Sequence, residues 1–556
     1  MTTINGGEAV YRVLKANKID TVFGLLGGSM LELYDAMYKG GEIAYVGARD
    51  ERAAGHMADA WARMTGKPGV VLGAQAGPGV VNTVTAVAEA HLAYSPLVVI
   101  AGAITRADQA KDTFQEVDQV ALFAPIAKKS VMVTDPARLA PMLEDAIRLA
   151  NSGRRGPVVL HVPRDLFAAE IPDIHPKALN IARPGAAAEA DIQAIADLLK
   201  NAKRPVIFAG GGFKWSEGRD ALTALAETLE VPVVASTGHA DVMRHGHPWF
   251  AGQAGPRGNM VASRLTKEAD VMVVLGARLG FNSTFHSNDY VGAETRIAHV
   301  DIDGAAVGRY FPAEIAAQGD ARATAEALTQ IATKPDCADW RTAFQNDMQG
   351  LRDERESEGQ IDTLPLHPRR ALAEIRDTLP EDAIVTLDTG NTCLQAADRL
   401  AHYAPLSLIT PLDFGLVGFG LAAAIGAKAA APERPVVAIM GDGAIGYTMI
   451  EIQTAVAHNL PITIVVLDNE AWGAEKAYQQ EFYGGRLLGA EIQSPRFDHF
   501  AESCGGRGIW VEGPGEMGPA LEKAIASGET TVIQSKIDPK ALMTLRKDLF
   551  KTPNKD

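Results

Sequence analysis

Cysteine is nearly missing from this chain: Cys337, Cys393 and Cys504 are the only three in 556 residues. They stand far apart and in no metal-ligand spacing, which argues against a disulfide framework or a thiolate metal site and points to a reducing compartment. Aromatic residues are scarce at 6%. No apolar run reaches the ~18 residues needed to cross a bilayer. Residues Met1 to Glu8 carry neither the basic nor the apolar region of a signal peptide, so the cytoplasm is the expected location. Positive charge is also short: 53 Lys and Arg face 68 Asp and Glu, a formal net charge of −15. Such a surface has no general attraction to nucleic acid or anionic membrane, and neither is expected as a partner. An anionic ligand would need local help from helix N-termini, a metal ion or gathered cations.

What remains is soluble globular material, 47% hydrophobic and 22% charged with 54 glycines, enough for about three domains at roughly 100–200 residues each. Strand-like apolar runs alternate with helix-like periodic segments, the pattern of α/β domains with parallel sheets flanked by helices. Two stretches break it. Residues 168–188 hold Pro172, Pro176 and Pro184 without an apolar period. Residues 333–368 are polar, with the charged run Arg352 to Glu356, and read as a linker with room for a helix. The expected regions are therefore 1–167, 189–332 and 366–540, with a tail at 541–556. The outer two share a unit of strand, glycine turn, helix and strand. In the first it is Val70–Ala74, Gly77-Pro78-Gly79, Val80–Tyr94 and Leu97–Ile100. In the third it is Val436–Met440, Gly441-Asp442-Gly443, Tyr447–His458 and Ile462–Leu467. In the middle region Gly210-Gly211-Gly212 follows the strand Pro205–Ala209. A structural turn is favoured there over a nucleotide site.

The chemistry concentrates after two strands of the third region. Asp442 offers a carboxylate and Asn469 an amide oxygen, both at carboxyl ends of parallel strands, where open α/β sheets bind ligands. Hard Mg²⁺ takes oxygen ligands and shares them with a diphosphate. Gly441 and Gly443 permit close backbone approach, and the next helix N-terminus offers amide donors to phosphate, with Ala444 a further cofactor-contact candidate. Glu51 opens a helix whose apolar face runs through Ala54, Met57, Ala58 and Trp61. His56 reads as helix packing.

Gly441-Asp442-Gly443 followed by Asp468-Asn469 resembles the motif of thiamine-diphosphate-dependent enzymes of the acetolactate synthase and pyruvate oxidase superfamily. That resemblance implies metal ligands at Asp442, Asn469 and the Ala471 carbonyl, with Asp468 standing where the family usually has a second Asn that is not a ligand. It implies that Glu51 is the glutamate that protonates the cofactor's aminopyrimidine ring. It further implies cofactor contacts at Gly77, Asn82, Gly390, Asn391 and Thr392, and an apolar wedge at Val417 within Gly415 to Gly420. Three domains follow: pyrimidine-binding, central Rossmann-like and diphosphate-binding. The active site would lie between subunits of a homodimer or homotetramer. FAD is an optional cofactor in some relatives.

Less general segments bear on the reaction. Trp472 to Lys476, continuing to Gln479, Phe482 and Tyr483, resembles the sulfoacetaldehyde acetyltransferase branch, as do Gly276 to Leu279, Ser283-Thr284 and Arg546 to Asp548. That branch turns sulfoacetaldehyde and phosphate into acetyl phosphate and sulfite. Phe114-Gln115-Glu116 resembles the acetolactate synthase loop and keeps a carboligase or 2-oxoacid decarboxylase open. A flavin or nicotinamide oxidoreductase using Gly210 to Gly212 is an alternative of another class. Gly28-Ser29, with Ser29 and Glu32 as a capping box, offers amides for a small anionic substrate. Lys476, Arg486, Arg546 and Lys547 are candidate cations for phosphate. The substrate candidates are therefore Gly28, Ser29, Phe114, Gln115, Trp472 and Lys476.

Overall fold

The structure is a computed structural model and describes residues 2–543. Three six-stranded sheets carry the fold, each wholly parallel. Their strands are rich in Val and Ile and buried on both faces, as parallel strands covered by helices must be. Numbering the strands of each sheet by order of appearance, the first and third sheets have the same order, 2-1-3-4-6-5, while the middle sheet runs 3-2-1-4-5-6. The unit repeated in the sequence is thus the centre of one topology used twice. The middle order is that of a Rossmann sheet.

By its contacts the chain forms two units. The first contains Met1–Arg183, Asp413–Glu433 and Thr448–Ile462. Its sheet begins with Thr21–Leu25, Ala44–Gly47, Gly69–Gly73 and Leu97–Ala103. The Glu51–Thr65 helix packs against the small-residue helix Gly420–Ala430. A Cβ added at Gly426 would sit 2.0 Å from the Met57 carbonyl oxygen, so only glycine permits this close crossing. A short antiparallel pair, Thr3–Asn5 with Glu170–Pro172, ties the first residues to the start of the proline-rich stretch.

The second unit contains Pro184–Leu412, Arg434–Tyr447 and the described residues from Thr463 onward. It carries the middle and third sheets. The charged segment after residue 333 holds the 21-residue helix Ala338–Glu358. Trp340 and Phe344 anchor it in the middle core, so two aromatic side chains among many charges make this segment part of the domain. Asp398 joins the middle and third sheets' layers: it accepts from Asn259 Nδ2 at 3.0 Å and pairs with Arg355 at 2.7 Å.

Helix boundaries differ from the periodic reading at both glycine turns. The first turn leads into two helices, Pro78–Asn82 and Val84–Leu92. The second leads into Asp442–Ile445 and then Glu451–Ala457. The apolar period continues across each break, so hydrophobic spacing alone did not reveal it.

Candidate active site

In the third sheet the chain reverses its winding direction between strands Ile384–Leu387 and Val436–Gly441, the position where such sheets leave a ligand crevice. Gly390, Asn391 and Thr392 follow the first of these strands. Gly441, Asp442, Gly443 and Ala444 follow the second, and Asn469 follows its neighbour Thr463–Asp468.

Asp442, Asn469 and Ala471 converge. The end of the Asn469 amide lies 3.0 Å from the Ala471 carbonyl oxygen and 3.1 Å from Asp442 Oδ1. With its nitrogen there, the amide donates to both. With its oxygen there, three oxygens meet without a hydrogen between them, an arrangement that a cation relieves. All three residues are buried. Burial pushes the Asp442 carboxyl up to about 6; the Ser494 hydroxyl, donating to Oδ2 at 2.6 Å, opposes this and Asp468 adds to it. A divalent cation would return it to the charged form. Among the described residues no group of three His, Cys, Asp or Glu side chains gathers for a metal. The donor set here is instead carboxylate, amide and carbonyl oxygen, which suits Mg²⁺.

The surroundings fit a diphosphate held on that cation. Gly390 has φ +109°, and a Cβ there would meet open space. Asn391 is buried, and among the described residues its Nδ2 and the Thr389 hydroxyl have no hydrogen-bond partner. A Cβ at Gly473 would come within 2.7 Å of the Asn469 amide and 2.8 Å of Asn391 Cβ, so the two asparagines are brought together across this glycine. Trp472 covers Gly443, and Tyr447 meets the Trp472 ring edge-on at 6.1 Å. Asp468 is turned away from the oxygen cluster. It accepts from Gln534 Nε2 at 2.9 Å and Lys536 Nζ at 2.9 Å. Ser494 and Gln534 carried no signal in the sequence, because each lies far along the chain from the motif it braces.

In the first unit the corresponding winding reversal lies between Thr21–Leu25 and Gly69–Gly73. Glu51 is buried at the start of its helix, and its Oε2 accepts from Asn82 Nδ2 at 3.0 Å. A Cβ on Gly79 would press to 2.8 Å from Glu51 Oε1. Gly77 has φ +71°, and its N–H donates to Gln119 Oε1 at 2.8 Å. Gln119 is held in turn by buried His161, whose Nε2 meets Ser130 Oγ at 2.9 Å. Burial lowers His161 to about 4. Val417 belongs to this unit, half-buried in the loop before Gly420–Ala430. His56 packs edge-on against Phe419, centroids 5.2 Å apart, and among the described residues neither ring nitrogen has a hydrogen-bond partner.

The Ser29–Glu32 capping box does not form. Gly28–Met30 is a tight 3-10 turn, and the helix beginning at Leu31 has no side-chain cap. Buried Ser29 Oγ instead accepts from the Ala76 N–H at 3.0 Å, a donor from the neighbouring strand end. The Gly28 N–H is likewise engaged, donating to Gln75 Oε1 at 3.0 Å. The other end of Gln75 donates to Gln115 Oε1. Gln75 therefore links two substrate candidates and was missed, since one glutamine ahead of a glycine turn has no sequence signature. Phe114 is exposed. In the second unit Lys476 is buried and paired with Glu491 at 3.0 Å, and Arg486 is exposed. Arg546 and Lys547 lie outside the described residues.

Gly210 to Gly212 do not fit a phosphate cradle. The Gly210 and Gly212 N–H groups donate to Leu275 and Gly276 carbonyls. A Cβ at Gly211 would meet the His239 ring at 2.9 Å. The run serves strand-end packing.

Two doubly wound domains of one topology, one with a buried glutamate and the other with an oxygen cluster beside a glycine-lined turn, flank a Rossmann-like domain in sequence. Residues 4–122 match the N-terminal TPP binding domain of thiamine pyrophosphate enzymes, 192–328 the central domain and 388–535 the C-terminal TPP binding domain. The chain belongs to the thiamine pyrophosphate enzyme family. It is 36% identical to a sulfoacetaldehyde acetyltransferase of Alcaligenes xylosoxydans xylosoxydans, over 95% of this chain and 92% of that one. The same figures describe its likeness to a sulfoacetaldehyde acetyltransferase of Castellaniella defragrans. A probable acetolactate synthase large subunit of Methanococcus aeolicus is 30% identical over 98% of this chain and 93% of that one. The protein is thus a thiamine-diphosphate-dependent enzyme. Among the described residues no helix is long and apolar enough to cross a membrane.

Proposed function

We propose that the enzyme catalyses two-carbon acyl transfer, converting sulfoacetaldehyde and phosphate to acetyl phosphate and sulfite. The observation that carries this reading is the likeness at 36% identity, along 95% of the chain, to two sulfoacetaldehyde acetyltransferases, against 30–32% for the acetolactate synthases. The chemistry supplied by bound thiamine diphosphate is attack on a carbonyl carbon and storage of the electron pair left by bond cleavage. In the net reaction the carbon–sulfur bond breaks and sulfite leaves with its electron pair. The two-carbon unit passes internally from aldehyde to acyl oxidation level, and a phosphate oxygen takes the acyl group. No external oxidant is needed.

In this proposal Asp442, Asn469 and the Ala471 carbonyl hold Mg²⁺. Gly390 to Thr392 and Gly441 to Ala444 receive the diphosphate. Glu51, steered by Asn82, shares a proton with a ring nitrogen of the pyrimidine. Gly77 would shape the pyrimidine side and Val417 would be an apolar support for the bound cofactor. Gln75 and Gln115 present amides to the substrate, with Trp472 closing the diphosphate side. The active unit is at least a dimer, with the site shared between subunits.

Purified enzyme with thiamine diphosphate and Mg²⁺ should release sulfite and acetyl phosphate in equal amounts from sulfoacetaldehyde plus phosphate. Acetolactate or acetaldehyde formed from pyruvate, with no sulfite from sulfoacetaldehyde, would replace this reading with a carboligase or decarboxylase.

A further inference from the structure

The proposed reaction needs a place for tetrahedral oxyanions in a protein of net charge −15. The cations nominated from the sequence do not provide one among the described residues. Lys476 is neutralised by Glu491, and Arg486 is exposed.

Arg257 is different. It follows the strand Phe250–Gln253 at the carboxyl edge of the middle sheet, the side on which such sheets bind ligands. Among the described residues its guanidinium has one hydrogen-bond partner, Asn282 Oδ1 at 2.9 Å, and no ion pair. Several sheltered arginines in this chain are matched by carboxylates: Arg63 by Asp59 and Glu89, Arg355 by Asp398 and Glu358, Arg399 by Glu358. Arg219 donates to the His402 carbonyl and has Asp241 and Asp220 close enough to favour its charge. Arg257 is matched only by a neutral amide. A partly buried cation without a counter-charge is costly to retain for packing alone. Asn282 is itself anchored, its Nδ2 donating to the Leu412 carbonyl, so one fork of the guanidinium is oriented while the remaining donors stay available. Burial pushes Arg257 below the usual guanidinium range, and Tyr478 opposes that shift. Tyr478 stands on the helix Gly473–Phe482, whose first residue packs against Asn469 and Asn391. Arg257 thus lies within electrostatic range of the helix that begins beside the oxygen cluster.

We propose that Arg257, oriented by Asn282, binds a tetrahedral oxyanion, either the phosphate acceptor or the sulfonate end of the substrate. The planar fork of arginine suits two oxygens of either group. The identity of the anion rests on the acyl-transfer reading, whereas the existence of the site does not.

The test is equilibrium titration of the holoenzyme at constant ionic strength with inorganic phosphate and, separately, methanesulfonate. Arg257→Gln should weaken binding of at least one anion by about ten-fold or more, with thermal midpoint and cofactor content unchanged. Asn282→Asp keeps the arginine but supplies the missing carboxylate, and it should weaken the same anion. It also carries the test alone should Arg257→Gln not fold. Loss for phosphate only assigns the acceptor, and loss for methanesulfonate only assigns the substrate end. Wild-type affinity for both anions in the variants, or no binding by the wild type, overturns the proposal. An enzyme found to use pyruvate would remove the acyl-transfer reading without altering these titrations.

Discussion

Glu51 Oε2 accepts a hydrogen bond from Asn82 Nδ2 at 3.0 Å, joining residues that follow different strands of one parallel sheet. Asn82 thereby steers one carboxylate oxygen while Gly79 leaves just enough room for the other. Glu51→Gln should abolish deuterium exchange at C2 of bound thiamine diphosphate and lower turnover by about 10²–10⁴-fold, the usual scale of positioned acid–base catalysis. Asn82→Ala should cost several-fold, since a single hydrogen bond contributes about 1 kcal/mol. Gly79→Ala should impair exchange with little change in thermal midpoint, because the new methyl meets the movable end of a carboxylate. Normal exchange in Glu51→Gln would falsify the acid–base role.

Removing the cation should open the oxygen cluster. Dialysis against a chelator is expected to strip thiamine diphosphate and lower the thermal midpoint, and Mg²⁺ with cofactor should restore both. Asp442→Ala should not be restored, having lost the only carboxylate among the three proposed ligands. Tight cofactor binding by Asp442→Ala without metal would remove these residues from the metal site.

The proposed sharing of the site between subunits is tested decisively by complementation. Glu51→Gln and Asp442→Ala homomers should each be inactive. Refolded together they should regain activity, because a mixed dimer carries one site with neither substitution. No recovery in demonstrated heterodimers would place both residues of a site in one chain.

Three buried histidines predict the acid side of the stability profile. Burial lowers His56 to about 3 and His161 and His402 to about 4, from an ordinary value of 6.5. Each is neutral in the fold but protonates in the unfolded chain below 6.5. Their contribution is therefore fully present above pH 6.5 and is lost as pH falls towards 4 and 3. The slope approaches about 1.4 kcal/mol per pH unit for each group. Urea midpoints should fall from pH 7 to pH 5, and a folded His161→Gln variant should show a shallower fall. Equal pH dependence in that variant would rule out His161 as a contributor.

Most strands were legible because parallel strands buried on both faces are continuous runs such as Val70-Val71-Leu72 or Ile464-Val465-Val466. The helix at Ala338–Glu358 was only half visible, since its core anchors are two aromatics within a long charged segment. The Ser29 turn was misread for a more instructive reason. A Ser-x-x-Glu pattern specifies a cap only when the serine is free to turn back on its own helix, and here the Ala76 N–H takes it first.

The sequence by itself determined the α/β class, the twice-used unit and the family. It also placed Asp442 and Asn469 at strand ends and Glu51 at the start of a helix, because apolar runs, glycine turns and helical periods are local features written in consecutive residues. Only the tertiary structure decided what those residues meet. The Ala471 carbonyl beside Asn469, Ser494 on Asp442, Gln75 between Gly28 and Gln115, and Arg257 facing an amide all depend on strand order and on burial. Both properties are set by pairing between distant segments, and burial then decides whether a polar atom must find a partner.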